Sequence, residues 1–382
     1  MIEFDKLPYF EEYIDEESGV KSYILNKKPA EFVQSFYFTN QSLSEDNKYL
    51  WMYCFYPPLK QHCLGVVSLD PKNTFVRVFN QAVFSGASPL VAPEGDKVYF
   101  TGIDDSDCAV YTIDLNGNIE LFAKMDNSFI DNKLVTRFST HLTISADGKY
   151  MLIDAMFVTY GFVTILDMKT REFKIINEYQ NFHNHAQFSP VHPNLFLLSQ
   201  DSRCDPVSGK WIAFKNRIWL CDTEATLFEP VIQRSWHGHD GTMVCHDFWS
   251  QDGKICWIDY KKGAYEMDVD TSETNHIWKE PLCHAHCNVD RSLWVADQSP
   301  YDWPKQNCKV MFLNRSTGKK IDIFSAMPAP RCDKYPAGIR SRWHIDPHPQ
   351  FTKDGENIIC TTTVKGGVDI AITPVKQLID MT

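Results

Sequence analysis

No run of Lys or Arg and no basic tail occurs anywhere in the 382 residues, where 38 Lys and Arg face 49 Asp and Glu for a formal charge of -11. That balance excludes nucleic acid and anionic membrane as expected partners. Continuous apolar stretches are also short, none approaching the roughly 18 residues of a membrane span. The start, Met1-Ile2-Glu3-Phe4-Asp5-Lys6, lacks a basic region followed by an apolar one, and this predicts a cytoplasmic protein. Helical periodicity is almost absent. A Gly-x-Ser-x-Gly nucleophile turn is absent as well, which argues against a peptidase propeller with its partner hydrolase domain. Clustered cysteine pairs are few: the 12 cysteines are mostly single and many lie in apolar runs such as Trp51-Met52-Tyr53-Cys54-Phe55, which predicts reduced core thiols.

Short runs of Val, Ile, Phe, Tyr and Trp, separated by Asp-Gly, Asn-Gly and Lys-Asn turns, fill the chain instead and make it all-β. The turns recur at Ser44-Glu45-Asp46-Asn47-Lys48, Pro93-Glu94-Gly95-Asp96-Lys97, Ser145-Ala146-Asp147-Gly148-Lys149, Ser189 to Asn194, Ser250-Gln251-Asp252-Gly253-Lys254, Val289-Asp290-Arg291-Ser292 and Thr352-Lys353-Asp354-Gly355-Glu356, roughly 50 residues apart. Each copy has an apolar strand, a polar turn, a very apolar second strand, and then a third and fourth. That grammar is one propeller blade. The last copy ends on Val368 to Thr373, a third strand, while residues 22 to 37 offer strand material ahead of the first repeat. The reading is a seven-bladed β-propeller over residues 1–382, a single domain whose last blade is closed by N-terminal strand material. A β-sandwich or two smaller barrels is the alternative.

Histidines carry the chemistry. His141, His183, His185, His246, His284, His286, His344 and His348 each sit just before or on the first strand of a repeat, where residues distant in sequence can converge. Each taken singly also reads as an ordinary hydrogen-bonded histidine. Cys283-His284-Ala285-His286-Cys287 groups several metal donors, and an extended His344-Ile345-Asp346-Pro347-His348 would put His344, Asp346 and His348 on one side. Imidazole with carboxylate suits Mn²⁺, Fe²⁺ or Zn²⁺, and thiolate would favour Zn²⁺. Arg217, followed by His237 to Gly241 and then by Cys245-His246-Asp247-Phe248-Trp249, joins a fixed cation to a base near neutral pKa, the pairing needed to remove a proton next to a carboxylate. On residue types alone, Arg217 could equally pair with Asp222 and His246 cap a strand.

Phe36 to Gln41 with Asp46 to Lys48, Arg217 to Leu220, Cys245 to Trp249 and Pro347 to Thr352 are four segments that together resemble the oligogalacturonate lyase family of polysaccharide lyases. Phe36-Tyr37-Phe38-Thr39-Asn40-Gln41 with Asp46-Asn47-Lys48 is similar to that family's Tyr-Phe-Thr-Gln segment and Asp-Gly-Lys turn. Arg217-Ile218-Trp219-Leu220 is similar to its Arg-Met-Trp-Leu, and Cys245-His246-Asp247-Phe248-Trp249 to its Thr-His-Glu-Phe-Trp. Pro347-His348-Pro349-Gln350-Phe351-Thr352 resembles its His-Pro-His-Pro-Ser-Phe-Thr. The resemblance implies a seven-bladed propeller holding Mn²⁺ through three histidines and a glutamine, with a histidine base. Carried over by motif, it implies His246 as base, Arg217 as substrate-binding cation, and His284 and His348 as metal ligands. The chain departs from the family where Trp343 replaces the glutamine and Asp346 a histidine. The implied set is then His284, His344, Asp346 and His348, for Mn²⁺ first and Zn²⁺ or Ca²⁺ as alternatives, with Cys287 or His286 turning the site toward Zn²⁺.

The implied reaction is β-elimination across C4 and C5 of a uronic acid in an acidic oligosaccharide, giving a 4,5-unsaturated uronate, with oligogalacturonate as the first substrate. An ulvan- or other glucuronate-directed lyase of the same fold is the alternative. Arg203, His185 and His239 are candidate substrate contacts, and Trp249, Trp211 and Trp303 candidate stacking platforms, although Trp in blades is more often core. A non-catalytic interaction platform would explain the fold equally well.

Overall fold

A computed structural model describes residues 2–57, 62–82, 88–104, 107–126, 135–157, 160–179, 182–205, 207–233, 235, 242–298, 307–328 and 345–382. Every repeat folds as an antiparallel sheet, and the third shows why. Tyr150–Met156 and Gly161–Asp167 are nearly continuous apolar runs because both of their faces are buried. The outer strand Phe173–Tyr179 mixes Lys174, Asn177 and Glu178 among its apolar residues and is only partly covered. Among the described residues there are seven sheets of four or five strands, with a two-stranded ribbon of Arg203–Cys204 and Trp211–Ile212 beside them. The chain is a seven-bladed β-propeller, as its repeats predict.

The chain divides into two compact units. One comprises 1–83, 91–96 and 282–382 and contains the first, sixth and seventh blades. Its seventh blade is composite. Strands Phe10–Ile14 and Lys21–Leu25 extend the sheet built from Gln350–Phe351, Asn357–Thr362 and Asp369–Pro374, with Tyr23 opposite Ile372 and Ile24 opposite Ala371. The N-terminal closure is therefore present, with its material divided: 10–14 and 21–25 complete the last blade and Phe32–Gln34 opens the first. Leu25, Val33, Ile359, Ile370 and Ile372 pack with Phe4, Leu7 and Phe10 in one buried cluster. Ser22 Oγ and Thr373 Oγ1 meet at 2.7 Å across the join, and Lys28 pairs with Asp369.

The other unit comprises 84–90 and 97–281 and contains the long strands of the second blade and all of the third, fourth and fifth. The turns of its third and fifth blades follow one design. Ser145 Oγ donates to Asp147 Oδ1 at 2.8 Å, the Gly148 N–H donates to the Ser145 carbonyl, and the Tyr150 N–H returns to Ser145 Oγ. Ser250, Asp252 and Gly253 repeat the motif. Gly253 has φ +87°, and a Cβ there would come within 2.2 Å of Val191, so both the turn and its neighbour require glycine.

No helix of the described residues is long and apolar enough to cross a membrane. Ten described cysteines are free, nine of them buried.

Candidate functional site

His141, His185, His246, His284 and His348 each stand four residues ahead of the residue whose N–H closes the blade turn: Ser145, Ser189, Ser250, Asn288 and Thr352. Equivalent positions in five blades thus carry imidazole. Three of them have left-handed backbone, His185 at φ 54°, His246 at φ 50° and His348 at φ 45°. In the first two the ladder slips, between Asn184 and Gln187 and between Cys245 and Phe248. A bulge of this kind turns a side chain out of the strand's alternation and recurs next to functional sites. His344 lies outside the described residues, and over Ile345, Asp346, Pro347 and His348 the expected extended strand is not formed, because the strand begins at Gln350 and the positive φ of His348 breaks the alternation.

In the second unit, His246 Nε2 lies 3.4 Å from Tyr260 Oη with the rings at 89°. Tyr260 follows strand Ile255–Asp259 and is pinned by its N–H to the Met243 carbonyl at 3.1 Å. Arg217 is buried, donates through Nη1 to the Gln200 carbonyl at 2.9 Å, and pairs with Asp201. Its partner is thus Asp201 and not Asp222, which accepts from the Thr226 N–H and hydroxyl. His141 Nε2 and His185 Nδ1 share a hydrogen bond at 2.5 Å. Burial, followed by the charges of His141, Arg217, Arg137 and His246, holds His185 well below the ordinary imidazole range, so it is neutral at neutral pH. Burial opposes ionisation of the Cys245 thiol, yet His246 and Arg217 beside it, with hydrogen bonds from His246 and Tyr260, bring it below the ordinary thiol range. The arrangement offers a histidine base, a fixed cation and an anion-favouring field.

In the first unit, His284 and His348 are buried with ring centroids 4.5 Å apart at 79°. Tyr37 packs against both, and Phe38 lies against His284 at 5.4 Å. Asp297 accepts from the His284 N–H at 3.1 Å through Oδ1 and meets Nδ1 at 2.9 Å through Oδ2. A ring whose Nδ1–H is given to a carboxylate presents an Nε2 lone pair, the form in which histidine binds metal. Cys283 Sγ and a ring nitrogen of His284 lie within 4.8 Å of one another. Asp346 is buried, and its carbonyl accepts from Gln34 Nε2 at 3.4 Å. His286 points elsewhere: its Nδ1 accepts the Phe351 N–H at 3.2 Å, and burial lowers it to about 4. Imidazole and thiol donors of this kind fit a divalent transition metal.

The structure therefore gathers His246, Arg217 and His185 in one unit and His284 and His348 in the other, where Asp346 is buried two residues before His348 with its backbone carbonyl on Gln34. His239, His344 and Trp303 lie outside the described residues, and Arg203 is placed only as a strand residue. Trp249 is core, its Nε1 donating to the Gln187 carbonyl at 3.0 Å, so it offers no sugar platform. Sequence reading missed Arg137, Tyr260 and Asp297. A repeat signal existed for Asp297: Asp154 occupies the matching place in the third blade, where it accepts the Thr140 N–H at 2.9 Å.

No protein-family model matches the chain. It is 24% identical over 217 residues to the oligogalacturonate lyase of Dickeya dadantii (strain 3937), covering 53% of this chain and 52% of that protein. The oligogalacturonide lyase of Pectobacterium atrosepticum gives the same identity and coverage. The chain thus spans about half the length of the curated relatives it matches. A solved oligogalacturonate lyase in complex with manganese superposes with a TM-score of 0.71 at 18% identity over 96% of each chain. The oligogalacturonate lyase from Vibrio parahaemolyticus gives 0.73 at 16% identity over 96% of each. The chain has the seven-bladed fold of the oligogalacturonate lyases and resembles them in sequence over about half its length.

Proposed function

We propose that this protein is a lyase that cleaves 4-linked uronic acid oligosaccharides by β-elimination, with oligogalacturonate as substrate and a 4,5-unsaturated uronate as product. The observation that carries the reading is His246, set in a strand bulge of a lyase-like propeller in the same unit as the buried cation Arg217. The C5 proton of a uronate is not acidic while the neighbouring carboxylate is fully charged. Arg217 offsets that charge. His246 takes the C5 proton, the C–H electron pair becomes the C4=C5 bond, and the C4–O4 bond breaks as the leaving sugar departs. His185, Arg203 and His239 are proposed substrate contacts, His185 as a neutral hydrogen-bonding group.

His284, His348 and Asp346, with His344, would hold a divalent ion. Such an ion supplies Lewis-acid neutralisation of the uronate carboxylate. Mn²⁺ is the first choice, because a solved neighbour of the same fold is a manganese complex. The Cys283 thiol near His284 favours Zn²⁺ as a second choice, and imidazole donors argue against Ca²⁺, which prefers oxygen. The free cysteines support a reducing, cytoplasmic location.

The test is ultraviolet absorbance of the unsaturated product, from wild type and His246→Ala, on oligogalacturonate, ulvan and glucuronan oligosaccharides, with and without chelator. Product from oligogalacturonate that disappears in the variant is expected. Product from ulvan or glucuronan alone would move the substrate to glucuronate. Silence on all three from folded, metal-loaded protein would overturn the reading in favour of a binding platform.

A further inference from the structure

In the second unit the ladder register skips His185 and Ala186 in strand Phe182–Phe188, and it skips His246 and Asp247 in strand Val244–Trp249. Each bulge leaves backbone without a place in its own ladder, and such groups need donors from elsewhere once water is excluded. One side chain serves both bulges. The Gln187 amide donates through Nε2 to the Asp247 carbonyl at 3.0 Å and, more loosely, to the His185 carbonyl at 3.4 Å. An amide nitrogen carries two hydrogens, so both bonds are made together. Gln187 and Asp247 are each only 3% exposed, which leaves water little access to replace the donor.

Two further bonds brace the same strands. Trp249 Nε1 donates to the carbonyl of Gln187 itself at 3.0 Å, and Ser199 Oγ donates to Asp247 Oδ1 at 2.5 Å. Asp247 is thereby held at both its carbonyl and its carboxylate, one residue past His246. Left-handed backbone at a residue other than glycine persists only where its surroundings fix it, and His185 and His246 are both of this kind. The device recurs in the first unit. Gln350 stands two residues past left-handed His348, as Gln187 stands two past His185, and it too gives its amide to backbone. Its Oε1 accepts the Ser42 N–H at 3.1 Å and its Nε2 reaches the Phe36 carbonyl at 3.4 Å. Recurrence at one offset from a left-handed histidine separates Gln187 from an incidental polar contact.

We infer that Gln187 is a positioning residue that ties the His185 and His246 bulges to one another, so that the base and the substrate contact keep a single separation. The roles of the two histidines rest on the lyase reading above, whereas the tie between their backbones does not. Gln187 itself takes no part in proton removal.

The test compares Gln187→Met, which keeps the length and removes the donors, with Trp249→Phe, which removes one bond between the same two strands and leaves both bulge carbonyls their donor. On oligogalacturonate, Gln187→Met should lower kcat about tenfold and raise KM, because a small misplacement of reacting groups suffices for losses of that size. Trp249→Phe should leave both constants within about twofold of wild type. Equal losses in the two variants overturn the inference, because they mark a general weakening of the contact between strands. A loss in Gln187→Met confined to kcat or to KM, or no loss, overturns it too, because the two histidines then do not move together. In substrate-free protein, the imidazole magnetic resonance signals of His185 and His246 should both shift in Gln187→Met, while that of His276 on the exposed outer strand stays in place. Movement of only one, or of neither, overturns the tie. Absence of product from wild type on every uronide removes the lyase reading, and the imidazole signals then decide the tie alone. If Gln187→Met does not fold, Gln187→Asn takes its place, since it keeps the amide and shortens its reach by one methylene. Unmoved signals in that variant decide against the inference.

Discussion

Tyr260 Oη lies 3.4 Å from His246 Nε2, and the two rings stand at right angles. The tyrosine is fixed by its own backbone, so it holds the imidazole in one orientation instead of following it. Tyr260→Phe keeps the ring contact and removes the hydroxyl. One neutral hydrogen bond is worth about 1 kcal/mol, so kcat on oligogalacturonate should fall about fivefold with KM nearly constant. Steady-state kinetics decide this, and an unchanged kcat would mean that the hydroxyl does not orient the base.

Asp297 sets the tautomer of His284. In Asp297→Asn the new amide can donate to Nδ1, which places the proton on Nε2 and removes the lone pair that a metal requires. Metal affinity should fall by about 10- to 100-fold, the usual effect of losing a partner of a metal-binding histidine. Competition with a chromophoric chelator measures it. Equal affinity in variant and wild type would place the metal away from His284.

The Arg217 charge is shared with Asp201, a partly exposed carboxylate. Asp201→Asn removes the countercharge and should lower KM for the anionic substrate, with the gain shrinking as salt is raised. Arg217→Lys should reduce kcat/KM by about a hundredfold, because the planar two-donor fork is lost. A KM insensitive to Asp201→Asn at low salt would separate Arg217 from substrate binding.

His185 gives the fold an acid limit. Its folded pKa lies well below the 6.5 of a free imidazole, so between those values the unfolded chain binds a proton that the folded chain does not. Its contribution to stability is therefore complete above about 6.5 and is lost as pH falls through the folded value. The facing charges, His141, Arg217, Arg137 and His246, all add to this direction. Denaturant midpoints should drop from about pH 7.5 to about pH 5.5, and drop less in His185→Gln. Parallel curves for the two proteins would contradict the assignment.

The Cys245 thiol should ionise below the ordinary thiol range, because His246 and Arg217 favour its anion despite burial. Thiolate absorbance titrated with pH, with Cys245→Ser subtracted, reads this directly. A midpoint at or above that of a free thiol would show that burial outweighs the two cations.

The repeat turns, the doubly buried second strands and the N-terminal strand material determine the blades, because local alternation and hydroxyl-Asp-Gly turns act over a few residues and leave a periodic trace in the chain. His246, His284 and His348 stood out as candidates for a related reason, since each lies four residues ahead of such a turn, whereas Arg217 stood out only through its Arg-Ile-Trp-Leu segment. Tertiary structure alone decided the rest. Arg137 meets the His183 carbonyl 46 residues away, and Tyr260 meets His246 through a bulge, neither of which has a fixed sequence interval. The exchange of Asp222 for Asp201 as partner of Arg217 likewise follows from which strand runs alongside, and the positive φ of His348 overrode the alternation expected of an extended segment. Periodicity along a strand records which face a residue takes, whereas ladder register and backbone bulges, set by packing between strands, select the residue it meets.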